Sequence, residues 1–419
     1  MKNKFRFVGE RARRRTRESS ASSSNEDNSS DDSLSLPSSD SDKENDENYQ
    51  DELLIAQANK HMEEAQQQRS LARLRQQTAM EDVDQPHENR RFVFCSMFVF
   101  LNFMFTNVVN FSFYSYCVVC DYSQNVELPH FGAEQPQDIY YFSAITVNIF
   151  GMADVTKTPT KMLAYGYRED QGGKGGNNVA SLIIKGLKEL GWIKEDGQTG
   201  KQLTIILDNC GGQNKNNYVL RMAPWLVERK LFKKVEIVFY IRGHTKNACD
   251  RLFNQLKLLY HKRQTFTMEN MVRTMNASPN VTFKEAFASD FFDYGQMLDL
   301  LYKKFPPGMI QRNHIFWVDD SNPTKMHIKV SDEAEIEVFD FKKSNVQRHD
   351  ILNSRLTPIP APGLKEIKQV ELYSKFRKFV PLEFQDEICP RPSQQVLENI
   401  KKSRSEKTKA RSTAKKRKA

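Results

Sequence analysis

Residues 202–217 read QLTIILDNCGGQNKNN. QLTIIL is a short apolar run bounded by turn signals, the mark of a buried strand, and it ends on Asp208. Gly211 and Gly212 let the backbone turn sharply, and Gln213, Asn214, Lys215, Asn216 and Asn217 then crowd amides and a cation where a helix begins. Backbone N–H groups at such a helix start attract anions, and amides reach phosphate or base edges. A polar capping loop is the plain alternative. Residues 217–232 form an amphipathic helix, and KVEIVFYI (234–241) is a second apolar strand. This strand–loop–helix–strand unit sets the reading of its surroundings.

Working toward the N-terminus, NNVASLIIKGLKELGW (177–192) predicts a helix opened by the glycines of residues 172–176. KMLAYGYRED (161–170), DIYYFSAITVNIFGMAD (138–154) and YSYCVVCD (114–121) predict three strands close enough for a meander. Toward the C-terminus, NACDRLFNQLKLLYHK (247–262) has helical spacing, with Leu252, Phe253, Leu256 and Leu259 on one face. The order β-β-β-α-β-α-β-α gives an α/β fold of RNase H-like type over residues 114–264, a mixed sheet with helices on both faces. Beyond it, residues 265–385 read as an accessory α+β region. Its first part, 265–301, is expected to be largely helical, and HIFWVDD, MHIKV and EIEVFDF to form a small β meander.

Three predicted elements of this domain deliver an aspartate: Asp121 in CVVCDYSQN, Asp208 in LDNCGGQNKN and Asp250 in VFYIRGHTKNACDR. In fold order they are placed to converge, and carboxylates are the natural ligands of a hard divalent cation such as Mg²⁺ or Mn²⁺. A pair of such ions about 3.5–4 Å apart clamps the attacking and leaving oxygens of a phosphodiester. An aspartate before a turn or helix can equally be a cap. His244, six positions before Asp250, is a candidate to protonate a leaving oxygen. Gln213, Asn214, Lys215, Asn216, Arg242, Lys246 and Arg251 are candidate nucleic-acid contacts.

Two other signals carry less. GGKGG (172–176) lacks the spacing and Lys-Ser/Thr ending of a P-loop, so no nucleotide cofactor is expected; its glycines shape the helix entry, near a DNA backbone. Cys117 and Cys120 form a C-x-x-C, but a three-residue offset in a strand points the thiols to opposite faces, so buried free thiols are expected rather than zinc.

The flanks have another character. Residues 1–52 join an arginine-rich start (Arg11, Arg13, Arg14, Arg15, Arg17) to an acidic serine tract and read as a disordered arm. Residues 53–91 read as a helical connector, with a weak coiled-coil face through Leu54, Met62, Leu71 and Leu74 in its first part (53–83) that would serve a homo-oligomer. Residues 92–113 are uncharged and Phe-rich: a core element, a membrane segment or a gene-model artefact. Residues 386–419 form a basic, disordered tail. The chain of 419 residues carries a net charge of +9, concentrated at its two ends, which suits the nucleus and DNA. Six cysteines without framework spacing suit a reducing compartment.

The stretches CDYSQNVELPHFGAEQP (120–136), GYREDQGGKGGNNVASLII (166–184), LDNCGGQNKN (207–216) and FYIRGHTKNACDRLFNQLK (239–257) resemble a known family. It is the RNase H-like, DDE/D transposase-like domain of uncharacterised transposon-derived proteins, abundant in oomycetes. The resemblance implies metal-dependent cleavage or transfer of DNA strands, with Asp121, Asp208 and Asp250 at the acidic positions. Residues 92–113 depart from what the family has before its first strand. A decayed or domesticated, inactive nucleic-acid-binding protein is the alternative. A second alternative is a membrane-tethered protein anchored through residues 92–113.

Overall fold

The computed structural model describes residues 41–84, 115–194, 201–241 and 247–403. The expected basic and acidic arm up to residue 40, the Phe-rich segment 92–113 and residues 404–419 of the tail lie outside the described residues. So do Arg242, His244 and Lys246. Residues 386–403, expected to be disordered, instead bury Ile388 and Cys389 and form a helix over 394–403.

The chain divides into two compact units, Met1–Leu71 with Ile241–His244, and Ala72–Tyr240 with Thr245–Ala419. Apart from Ile241, the described part of the first is helical. It belongs to helix α1 (Ser41–Asp84), which starts earlier than the expected boundary at residue 53 and takes in the end of the supposed arm. The sequence there has no glycine or proline to stop it. No helix among the described residues is long and apolar enough to cross a membrane.

The second unit is built on one mixed sheet. Its central strands are β1 (Ser115–Tyr122), β4 (Ile145–Asp154), β5 (Lys161–Arg168), β6 (Gln202–Leu207) and β7 (Lys234–Phe239). The short β2 (Val126–Leu128) pairs with β4, and β3 (His130–Phe131) pairs with β8 (Gln264–Thr265) apart from the main sheet. Across the sheet the order is β5-β4-β1-β6-β7. β1, β4 and β5 form the antiparallel meander, whereas β6 and β7 run parallel to β1. The parallel strands need crossovers, supplied by helices α2 (Gly176–Glu189) and α3 (Asn217–Glu228). Helix α4 (Ala248–Lys262) follows β7. This is the expected RNase H-like α/β arrangement.

Alternation along β1 separates two cores. Val118 and Cys120 face α2 and α3 in one apolar cluster; Cys117 and Val119 face α4 in the other. The C-x-x-C thiols therefore point to opposite faces as expected, and both are free. The second cluster also holds Ala72 and Ala79, from the last turns of α1.

The accessory α+β region is present, and it completes this sheet. β10 (Ile315–Asp319), β11 (Lys325–Lys329) and β12 (Glu337–Asp340) form the expected meander, which continues outward from β7. On the other edge β9 (Val281–Glu285) runs parallel to β5. That strand corrects the reading of 265–301 as largely helical: it lies between α5 (Met268–Met275) and α6 (Tyr294–Leu301). Val281 and Phe283 are buried while Thr282 and Lys284 are exposed, a period of two in a segment too short to announce itself.

Candidate active site at the carboxyl edge of the sheet

β1 and β6 are parallel and in register through Cys120 opposite Leu207, so Asp121 and Asp208 are the next residues on adjoining strands. Parallel neighbours lie about 4.8 Å apart, which sets the two carboxylates side by side. Each turns one oxygen to the following backbone: Asp121 Oδ1 accepts from Tyr122 N–H at 2.8 Å, and Asp208 Oδ1 from Asn209 N–H at 2.7 Å.

Helix α4 brings the third aspartate. Its N-cap is Asn247, whose Oδ1 accepts from Asp250 N–H at 3.2 Å while Asp250 Oδ2 accepts from Asn247 N–H at 2.8 Å, a reciprocal capping box. The same Asn247 donates through Nδ2 to Asp121 Oδ2 at 3.0 Å. Two residues on, the Cys249 thiol donates to the Val119 carbonyl at 3.1 Å. Gly151, opposite Asp121 on β4, permits this approach: a β-carbon there would come within 2.7 Å of the Phe253 ring.

The electrostatics follow from this packing. Burial drives the Asp121 carboxyl up to about 7, and the charges of Asp208 and Asp250 push the same way, against the hydrogen bonds from Asn247 and Tyr122. Asp208 and Asp250 thus both lie close enough for their charge to act on Asp121. Among the described residues no three or more His, Cys, Asp or Glu side chains converge as a ready-made metal cage. The capping box takes Asp250 Oδ2, and Asn247 takes Asp121 Oδ2. The donor chemistry nonetheless suits a hard divalent cation: part-buried carboxylate oxygens with further negative charge beside them.

The sequence reading missed two residues here. Asn247 is the buried link between Asp121 and the helix that carries Asp250; its position just before the α4 pattern was an N-cap signal. Lys174 is the centre of GGKGG. Its Nζ donates to Asn125 Oδ1 at 2.5 Å and to the Ser123 carbonyl at 3.5 Å, and lies 4.8 Å from the centre of the Tyr122 ring. Burial lowers its pKa, opposed by attraction to Asp121. A hydroxyl relay fixes the loop in place. Tyr167 donates to the Gly173 carbonyl at 2.7 Å, which leaves Tyr122 as the donor in its 2.8 Å bond to Tyr167. The glycine loop also packs against the polar loop, since a β-carbon at Gly176 would lie 2.7 Å from Asn216 Oδ1.

The polar loop itself needs correction. Lys215 is buried, donates to the Gln311 carbonyl at 3.1 Å and lies over the Phe239 ring, so its charge serves packing within the fold. Asn216 is the N-cap of α3: its Oδ1 accepts from Tyr218 and Val219 N–H, and its Nδ2 donates to the Gly211 and Gln213 carbonyls. Asn214 is buried, with its side chain turned inward. These three do not present themselves to a phosphate. Gln213 is half-buried, and Arg251 is exposed on the first turn of α4, beside Asp250. Arg242, His244 and Lys246 lie outside the described residues, in the short segment that leads into Asn247.

A family model described as a domain of unknown function, DUF7869, matches residues 143–335. The match takes in Lys174, Asp208, Asn247 and Asp250 and begins after Asp121. Comparisons with curated proteins and with solved structures give no match.

Proposed function

We propose that this chain is a metal-dependent DNA-processing enzyme of the transposase-like kind, a polynucleotidyl transferase or endonuclease acting at the carboxyl edge of its RNase H-like sheet. The observation that carries the reading is the geometry of the edge: Asp121 and Asp208 end adjoining parallel strands, and Asn247, the cap of the helix that carries Asp250, is hydrogen-bonded to Asp121. Asp121 and Asp208, with Asp250, are the residues that would hold Mg²⁺ or Mn²⁺. When bound, such ions lower the pKa of the attacking water or 3′-hydroxyl and neutralise the leaving oxyanion.

The chain's own groups do the rest. Asn247 orients Asp121 and fixes the start of α4, Lys174 brings a cation toward the same edge, and Arg251 offers an exposed contact for a phosphate. The attacking oxygen forms a bond to phosphorus as the bond to the leaving oxygen breaks. The basic ends of the chain would add sequence-independent attraction to DNA and suit residence in the nucleus. The resemblance to transposon-derived proteins supports the same reading.

The test is Mg²⁺- or Mn²⁺-dependent cleavage or strand transfer on DNA by the full chain, beside Asp208→Ala. The expected result is activity in the first and loss of it in the second; equal activity in both refutes the proposal. One observation favours a second reading, an inactive DNA-binding descendant: Asp250 is engaged in its own helix cap. Salt-sensitive DNA binding without cleavage under any divalent ion would establish that reading instead.

A further inference from the structure

Beside the three aspartates a cleft of about 570 Å³ opens between α4 and the turn that joins β1 to β2. It runs along α4 from Asp250 to His261, roughly 16 Å at the helical rise. Its floor is apolar, with buried Ile149, Phe253 and Met275. Its rim is polar and exposed: Gln124 and Asn125 on the turn, Asn254 and Lys257 on the helix. Lys257 Nζ donates to Gln124 Oε1 at 3.2 Å, and Asn125 accepts from Lys174. The one acidic group on its wall is Asp250.

We propose that this cleft binds one or two unpaired nucleotides of the DNA strand being processed. This rests on the function proposed above. Position argues for it, because Asp250 belongs both to the cleft and to the carboxylate edge, so a strand that leads away from the reacting phosphate enters there. Size argues for it: a site of this volume takes a ligand of nucleotide scale, and a duplex is too broad to enter. Chemistry argues for it as well. An apolar floor accepts a base that has left its stack, the amide N–H groups of Gln124, Asn125 and Asn254 can donate to its edge, and Lys257, released from Gln124, can meet the phosphate.

The test is anisotropy binding of the full chain without divalent ion, to a paired duplex and to the same duplex carrying a two-nucleotide gap. It is run for the wild type, for Asn254→Trp, which fills the cleft from an exposed position, and for Asn254→Ala/Lys257→Ala, which empties its rim without adding bulk. Gapped DNA should bind about tenfold tighter than duplex to the wild type. Both variants should lose that preference while keeping duplex affinity and melting temperature. A wild type without preference, or variants that melt normally and keep it, overturns the cleft proposal; should Asn254→Trp melt lower, the double variant decides alone. If neither DNA binds, the DNA-processing reading fails with it. Duplex binding that persists without a preference for the gapped DNA sinks the cleft alone.

Discussion

Two places in one sheet bury carboxylates and treat them in opposite ways. On β7, Glu236 meets Arg75 from α1, with the guanidinium Nε 3.0 Å from one carboxylate oxygen; the same arginine reaches Asp332 at 3.0 Å. Burial opposes the charge of Glu236, yet Arg75 and Lys234 outweigh it and hold the carboxyl below its ordinary range. At the end of β1, burial and like charges win, and Asp121 rises to about 7. The first arrangement is charge matched for a fold. The second leaves its carboxyl without an ion-pair partner among the described residues, as the cation site proposed above requires.

The largest effect that would break this contrast is on activity. Asp208→Asn should reduce divalent-ion-dependent DNA cleavage on the order of a thousandfold, since it removes a ligand charge worth several kcal/mol at the reacting centre, while circular dichroism stays unchanged. Next comes the matched site. Arg75→Ala leaves Glu236 buried without its main partner and should lower stability by about 3 kcal/mol in urea unfolding.

A smaller effect of opposite sign belongs to Asp121. Its folded pKa near 7 lies above the ordinary 3.8, so the folded chain binds the extra proton. The group therefore costs nothing below about pH 4, destabilises progressively as pH rises from about 4 to 7, and costs its full amount above 7. Asp121→Asn should accordingly stabilise the metal-free protein at pH 8 by up to about 4 kcal/mol and hardly at all at pH 4. Equal melting shifts at both pH values would contradict the assignment. The smallest effect is Asn247→Ala, which removes the α4 cap for about 1 kcal/mol and, with the hydrogen bond to Asp121 gone, raises the Asp121 pKa further. A carboxyl resonance titrated by NMR would register that rise.

Much of this was legible because it is local. The apolar run ending on Asp208, the helical spacing of Leu252, Phe253 and Leu256, and the order of the elements gave the sheet's core and put the three aspartates at one edge. The missed features depend on pairing across distance. Nothing near β9 or β10 says that they pair with β5 and β7, because such partners are chosen by the finished fold. Lys215 reads as a surface cation in sequence, and only the packing of Phe239 and the Gln311 carbonyl against it show otherwise. Lys174 was set aside with a failed P-loop pattern; its place near Asp121 follows from the Tyr122–Tyr167 relay, whose members are far apart in the chain.

The most direct test of the unmatched-charge account is the melting temperature of the full chain at pH 8 with and without millimolar Mn²⁺, beside Asp121→Asn/Asp208→Asn. The account predicts that Mn²⁺ raises the wild-type melting temperature by several degrees and leaves the double variant, already more stable without metal, unmoved. A wild type indifferent to Mn²⁺, or a double variant that responds as strongly, would contradict it.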